Sequence, residues 1–203
     1  MSTLETLAVT GSWREVAATG TLPERKYHLL VTGADGNVYT FGGLHRAAAG
    51  SSTPWQCTNS VWQLQLSNED YRWSLLHPGG AGGEVPCPRN EACGAVVDGW
   101  LWVFGGSAQS AGAAPGGRAP GQGHSLNDLW RYPLPKHNGD GGAGGGGRAA
   151  AAAAAPPSWE KVTASGAPCP RCASGCAASG TSLIIFGGGG VETVAPAKRY
   201  SDT

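Results

Sequence analysis

Apolar residues along this chain come in short runs, each closed by glycine. Val38-Tyr39-Thr40-Phe41 precedes Gly42-Gly43, Trp100-Leu101-Trp102-Val103-Phe104 precedes Gly105-Gly106, and Leu183-Ile184-Ile185-Phe186 precedes Gly187-Gly188. Short apolar runs bounded by turn residues read as β-strands, because β-branched and aromatic side chains suit a pleated, half-buried surface. A tight-turn signal stands before each run: Asp35-Gly36, Asp98-Gly99 and Ser179-Gly180. Glycine accepts the positive φ of a short hairpin connection, so each run is predicted to pair with the stretch upstream of its turn.

These signals repeat in a fixed order. All three phenylalanines of the chain open the same tripeptide, Phe41-Gly42-Gly43, Phe104-Gly105-Gly106 and Phe186-Gly187-Gly188. Upstream of each hairpin comes proline with arginine: Pro23-Glu24-Arg25, Pro88-Arg89 and Pro170-Arg171. Upstream again stands a tryptophan, Trp13, Trp73 or Trp159, followed by a stretch with apolar positions. Downstream of the glycine pair a further strand begins at Asn59-Ser60-Val61-Trp62 and at Asn127-Asp128-Leu129-Trp130, and Ser201-Asp202-Thr203 falls in the same register.

This order of elements resembles the kelch-repeat family. The resemblance implies an all-β fold, a β-propeller in which each copy builds one four-stranded antiparallel blade. Repeat one is expected at about 23–76, repeat two at about 86–163 and a partial repeat three at about 168–203, so the kelch region covers 1–203. Blade one should use 27–32, 38–43, 60–66 and 71–76; blade two 91–97, 100–106, 128–132 and 158–162; blade three 173–178 and 182–188. Residues 12–16 read as a lone outermost strand. About three blades make an incomplete ring, since closed propellers take about four to eight. The expectation is therefore a fragment of a longer protein, or a chain that self-associates to complete the propeller.

The copies lie further apart than the family's period of roughly 50 residues. Low-complexity insertions at 44–57, 108–123 and 133–157 account for the excess, the last holding a glycine run, seven alanines and Pro156-Pro157. They are read as loops with no packing signal. Strand alternation places two of the insertions and all three Pro-Arg motifs on one face of the blades.

Composition narrows the function classes. The chain has 203 residues and a formal net charge of zero, so it carries no electrostatic footprint for nucleic acid or an anionic membrane. No apolar run approaches the roughly 20 residues of a membrane span, and the N-terminus lacks the apolar core of an export signal. Six cysteines without such a signal fit reduced thiols. The expected location is intracellular, in the cytoplasm, from the absence of signals alone.

Candidate chemistry is sparse. Cys169-x-x-Cys172-x-x-x-Cys176 has half the spacing of a zinc site, but Cys87 occupies the repeat position of Cys169 with no such neighbours, so free thiols are expected and no metal. No Gly-Lys-Ser/Thr follows the glycine run 187–190, which excludes a Walker loop on spacing. The histidines are scattered, and no residues are assigned a catalytic role. Arg25, Arg89 and Arg171 recur at the entry to each innermost strand. There they either bind carboxylates or phosphate on a partner or hydrogen-bond the neighbouring blade's backbone. The Phe-Gly-Gly and tryptophan residues are read as structural.

Two classes of function follow from the resemblance. Kelch propellers often serve as scaffold or substrate-recognition modules, which makes another protein the expected partner and catalysis and cofactors unexpected. Some kelch-like propellers are copper radical oxidases or iron-dependent specifier proteins, which makes a metal enzyme the alternative. A truncated, non-functional product is the third reading.

Overall fold

The computed structural model describes residues 12, 15–46, 55–67, 70–80, 83–109, 123–135, 157–190 and 198–199. Trp13, most of the insertions at 108–123 and 133–157, and the end of repeat three lie outside the described residues.

Every element among the described residues is a strand. Blade one contains β1 (Arg25–Lys26), β2 (Leu29–Thr32), β3 (Val38–Phe41), β4 (Leu44–His45), β5 (Gln56–Cys57), β6 (Val61–Ser67) and β7 (Asp70–His77). Blade two contains β8 (Cys93–Val97), β9 (Trp100–Phe104), β10 (Ser107–Gln109), β11 (Gly123–Ser125), β12 (Leu129–Pro133) and β13 (Glu160–Val162). Blade three shows β14 (Gly175–Ser179), β15 (Ser182–Phe186), β16 (Gly189–Gly190) and β17 (Lys198–Arg199). The main sheets run β2-β3-β6-β7 and β8-β9-β12-β13, each four-stranded and antiparallel, and β14 pairs with β15.

The inner strands start later than the sequence pattern indicates. Tyr27, Glu91 and Ala173 hold the same place in their repeats, and all three sit at φ between 55° and 56°. A left-handed residue cannot extend a strand, so β2, β8 and β14 begin two residues further on. Strain of this kind costs roughly 1–3 kcal/mol and persists where the surroundings over-determine it. Here the surroundings are a relay between blades: the Glu91 amide donates to the Tyr27 carbonyl (2.8 Å), and the Ala173 amide to the Glu91 carbonyl (2.9 Å).

The glycine pairs carry the chain off the end of the second strand. Gly42 and Gly43 have φ of 66° and 89°, and the second and third copies match. A Cβ on Gly42 would come 2.7 Å from the Arg89 carbonyl oxygen, and one on Gly43 would come 2.8 Å from His28 Cβ. The next blade closes on the first glycine of the pair and the glycine's own blade on the second, while the Gly43 amide donates to Arg89 O (2.8 Å) and the Gly106 amide to Arg171 O (2.9 Å).

The insertions differ from their expected character at their roots. β4 pairs with β1 on one side and β5 on the other, and β10 pairs with β11, so the insertions at 44–57 and 108–123 leave the blade as short antiparallel ribbons. The backbone that follows the glycine pair still needs hydrogen-bond partners, and the returning strand is the nearest source. Of the expected lone strand at 12–16, the described residues 12, 15 and 16 are irregular, and Thr19 bridges Arg72 in parallel on the outer edge of blade one.

The core lies between blades one and two. Leu29, Phe41 and Val61 of the first pack against Leu101, Val103, Trp130, Tyr132 and Trp159 of the second. Phe41 meets Trp159 edge-on at 5.1 Å between ring centroids, and Tyr132 donates its hydroxyl proton to the Leu76 carbonyl across the boundary (3.0 Å). Trp73 on β7 is half-buried.

Candidate functional site

The recurring arginines were the sequence candidates for binding, and the three copies behave differently. Arg89 is fully buried. Its Nε donates to the Cys87 carbonyl (3.0 Å) and its Nη1 to the Gly105 carbonyl (3.0 Å). Both ends of its fork reach Asp128, Nη1 to Oδ1 at 2.6 Å and Nη2 to Oδ2 at 2.9 Å. Asp128 also accepts the Trp130 indole N–H (2.7 Å). Burial pushes the Asp128 carboxyl up, but the Arg89 bonds and charge and the Trp130 bond outweigh it and hold it below the ordinary carboxylate value. Arg171 is 4% exposed and repeats the same bonds to Cys169 O (3.2 Å) and Gly187 O (3.1 Å).

Arg89 and Arg171 therefore do not present their forks to a partner, which corrects that expectation. Their side chains bind their own blade, while their backbones bind the preceding one: the Arg89 amide donates to Thr58 O (3.1 Å) and the Arg171 amide to Leu126 O (2.9 Å). In both copies the neighbouring blade's backbone is met by the arginine main chain.

Arg25 is the exception. Where blade two has Asp128, blade one has Ser60, whose Oγ is engaged by the Thr58 hydroxyl (3.1 Å) and the Trp62 indole N–H (3.3 Å). Arg25 thus lacks the carboxylate of its repeat. Its Nη1 makes one long bond to the Gly42 carbonyl (3.4 Å), its Nε is buried with no partner, and its guanidinium lies 5.9 Å from the Trp62 ring. Burial without a counter-charge lowers its pKa to about 10. His28 and His45 stand beside it, and their pKa values are lowered by burial first and by the charge of Arg25 second.

Further cations surround this unfilled fork. The ribbon β1-β4-β5 sets Arg25 opposite His45 and Lys26 opposite Leu44. Trp55, at the foot of β5, is flanked by the Lys26 ammonium at 4.3 Å and the Arg46 guanidinium at 4.2 Å. Lys26 also lies 5.7 Å from the ring of Tyr27, which is 54% exposed. Glu24 answers one of these charges through an ion pair with Arg46 (3.2 Å). The result is a basic and aromatic patch on the ribbon of blade one, with a guanidinium able to take a carboxylate at its base. Repeat comparison at Ser60 and Asp128 was the sequence signal that could have singled out Arg25.

The cysteines diverge in direction. Cys169 is exposed, Cys172 buried and Cys176 half-buried, and all six thiols are free of disulfides. Among the described residues no group of three or more His, Cys, Asp or Glu is placed to hold a metal ion. No helix among them is long and apolar enough to cross a membrane.

No family model matches the chain. Among curated proteins it is 27% identical to Kelch domain-containing protein 3 of Homo sapiens and of Mus musculus over 101 residues, 50% of this chain and 24% of each relative. It is 28% identical to Adagio-like protein 1 of Oryza sativa subsp. japonica over 190 residues, 87% of this chain and 24% of that protein. The chain thus spans about a quarter of the length of these relatives. Among solved structures it is similar to YjhT, with a TM-score of 0.50 and 21% identity over 87% of this chain and 37% of that one, which shows the fold.

Proposed function

We propose that this kelch-repeat chain is part of a propeller that binds an acidic segment of another protein, with Arg25 at the centre of the contact and no catalysis of its own. One observation carries the reading. In blade two the repeat supplies a carboxylate to its arginine, and in blade one the same position is Ser60, so the half-buried Arg25 has no carboxylate partner and its Nε is unpaired. A Glu or Asp side chain entering there makes the charge-assisted fork that Asp128 makes with Arg89, and Lys26, Arg46 and Trp55 flank its approach. Patches on loops and ribbons over a rigid scaffold suit this kind of recognition.

The test is titration of the full-length chain into a fluorescein-labelled peptide of alternating Glu and Gly, with a Gln-for-Glu peptide as control. The parent should bind the acidic peptide alone, more weakly as salt rises. Arg25→Ala should weaken binding about tenfold, equivalent to ~1.4 kcal/mol. Ser60→Asp should weaken it as much while leaving the fold intact, because it gives Arg25 the carboxylate of its repeat. Equal affinity for both peptides, or for Ser60→Asp and the parent, overturns the reading.

A further inference from the structure

Repeat-equivalent positions on adjacent inner strands meet across each blade boundary. Leu29 pairs with Phe41 and Cys93 with Phe104, so Leu29 and Cys93 hold one place in their blades. Gly94 pairs with Val103 and Cys176 with Ile185, so these two share the next place. At the first boundary Leu29 lies so close to β8 that a Cβ on Gly94 would stand 2.8 Å from its Cδ2. At the second boundary the same two positions are Cys93 and Cys176, on adjacent strands β8 and β14. The two thiols lie near enough for each to shift the other's pKa.

The two sulfurs are unequal. Cys93 is 5% exposed, while Cys176 is half-buried. The proximity of Cys93 lowers the pKa of Cys176, against the effect of burial, whereas Cys176 and then burial raise that of Cys93. The more accessible sulfur is thus the one with the lowered pKa, and its neighbour is a thiol on the adjacent strand. Reactive cysteine pairs have this asymmetry, an attacking thiolate beside a resolving thiol.

The geometry points to Cys93 and Cys176 as a redox pair that closes a disulfide between blades two and three, with a hydroperoxide as oxidant. The Cys176 thiolate attacks one peroxide oxygen; the sulfur–oxygen bond forms, the oxygen–oxygen bond breaks, and the other oxygen leaves, protonated, as water when the oxidant is hydrogen peroxide. Cys176 is now a sulfenic acid. The Cys93 sulfur attacks the Cys176 sulfur, the sulfur–sulfur bond forms, and the hydroxyl leaves with the Cys93 proton as a second water. Two thiols lose two electrons and one peroxide becomes two waters. A reducing dithiol reverses the link by exchange. The product ties one inner strand to the next, at the boundary where blade three is held by its innermost elements.

The experiment treats the reduced full-length chain with equimolar hydrogen peroxide, blocks remaining thiols with N-ethylmaleimide under denaturing conditions, and maps peptides without reduction. The expected product is a Cys93–Cys176 cross-linked peptide, two hydrogens lighter than the sum of its parts and lost on adding dithiothreitol. It should persist when the exposed thiols are removed in Cys87→Ser/Cys169→Ser, and vanish in Cys176→Ser. Recovery of both Cys93 and Cys176 as maleimide adducts, with oxidation confined to Cys87 and Cys169, overturns the proposal. The wild-type map decides this without reliance on any variant's fold.

Discussion

Asp128 takes both ends of the Arg89 fork and an indole N–H besides. Arg89 has no exposed surface, so removing its partner leaves a buried charge uncompensated. Breaking such a pair costs roughly 3–5 kcal/mol. Asp128→Asn should therefore lower the unfolding free energy from urea melts by that order at pH 7. The sign with pH is also set: the folded pKa of Asp128 lies below its unfolded value. The stability it contributes is full above the unfolded value of about 4 and is lost as pH falls through the folded one. Urea melts of parent and Asp128→Asn from pH 7 to pH 2 should converge at the acid end. Parallel curves would mean that the pair is not what stabilises blade two.

At the scale of the element, the glycine pair and the Pro-Arg turn act as one joint. Gly106 has φ of 95°, and a Cβ there would lie 2.9 Å from Asn90 O and 3.0 Å from Ala92 Cα, both backbone. The positive φ costs a side chain roughly 1–3 kcal/mol before any contact is counted. Gly106→Ala should destabilise by at least that much, with the Gly106–Arg171 bond between blades the first to go. Gly99, at φ 75° in the open turn Asp98-Gly99, has nothing within 4 Å of a Cβ and serves as the control. Hydrogen exchange on the Gly106 amide against the Gly99→Ala variant separates the joint from the turn. The hairpins were legible in the sequence because Asp98-Gly99 joins residues adjacent in the chain. The joint was legible only as a recurring Phe-Gly-Gly, since its partner, Arg171, lies in the next repeat.

Across the whole molecule, the three phenylalanines of the repeat report how each blade is covered. Phe41 and Phe104 are 0% and 2% exposed, whereas Phe186 is 62% exposed and Ile184 beside it 51%. At the other end of the stack Leu30 is 57% exposed. Between blades two and three a groove of about 580 Å³ runs past Leu129, Leu183 and Ile185, where the boundary before it is filled by Phe41, Tyr132 and Trp159. Apolar faces of this kind associate when nothing covers them. The 203-residue chain should therefore sediment above its monomer mass, and Ile184→Lys/Phe186→Glu should shift it toward monomer. A chain that is monomeric without these changes would show that the faces are covered by residues outside those described.

By itself the sequence determined the local order: strands from apolar runs, hairpins from Asp-Gly, and three blades from three Phe-Gly-Gly copies. Each of these is a relation between neighbours in the chain, where backbone preference and side-chain alternation act directly. The tertiary structure decided what identical motifs do. It buried Arg89 and left Arg25 without a carboxylate, set Tyr27, Glu91 and Ala173 in one strained conformation despite unlike side chains, and brought Cys93 against Cys176. The arginine contrast follows from strands far apart in the chain that meet within one blade, and the other two from contacts between repeats, which depend on how one blade stacks on the next and which no single repeat encodes.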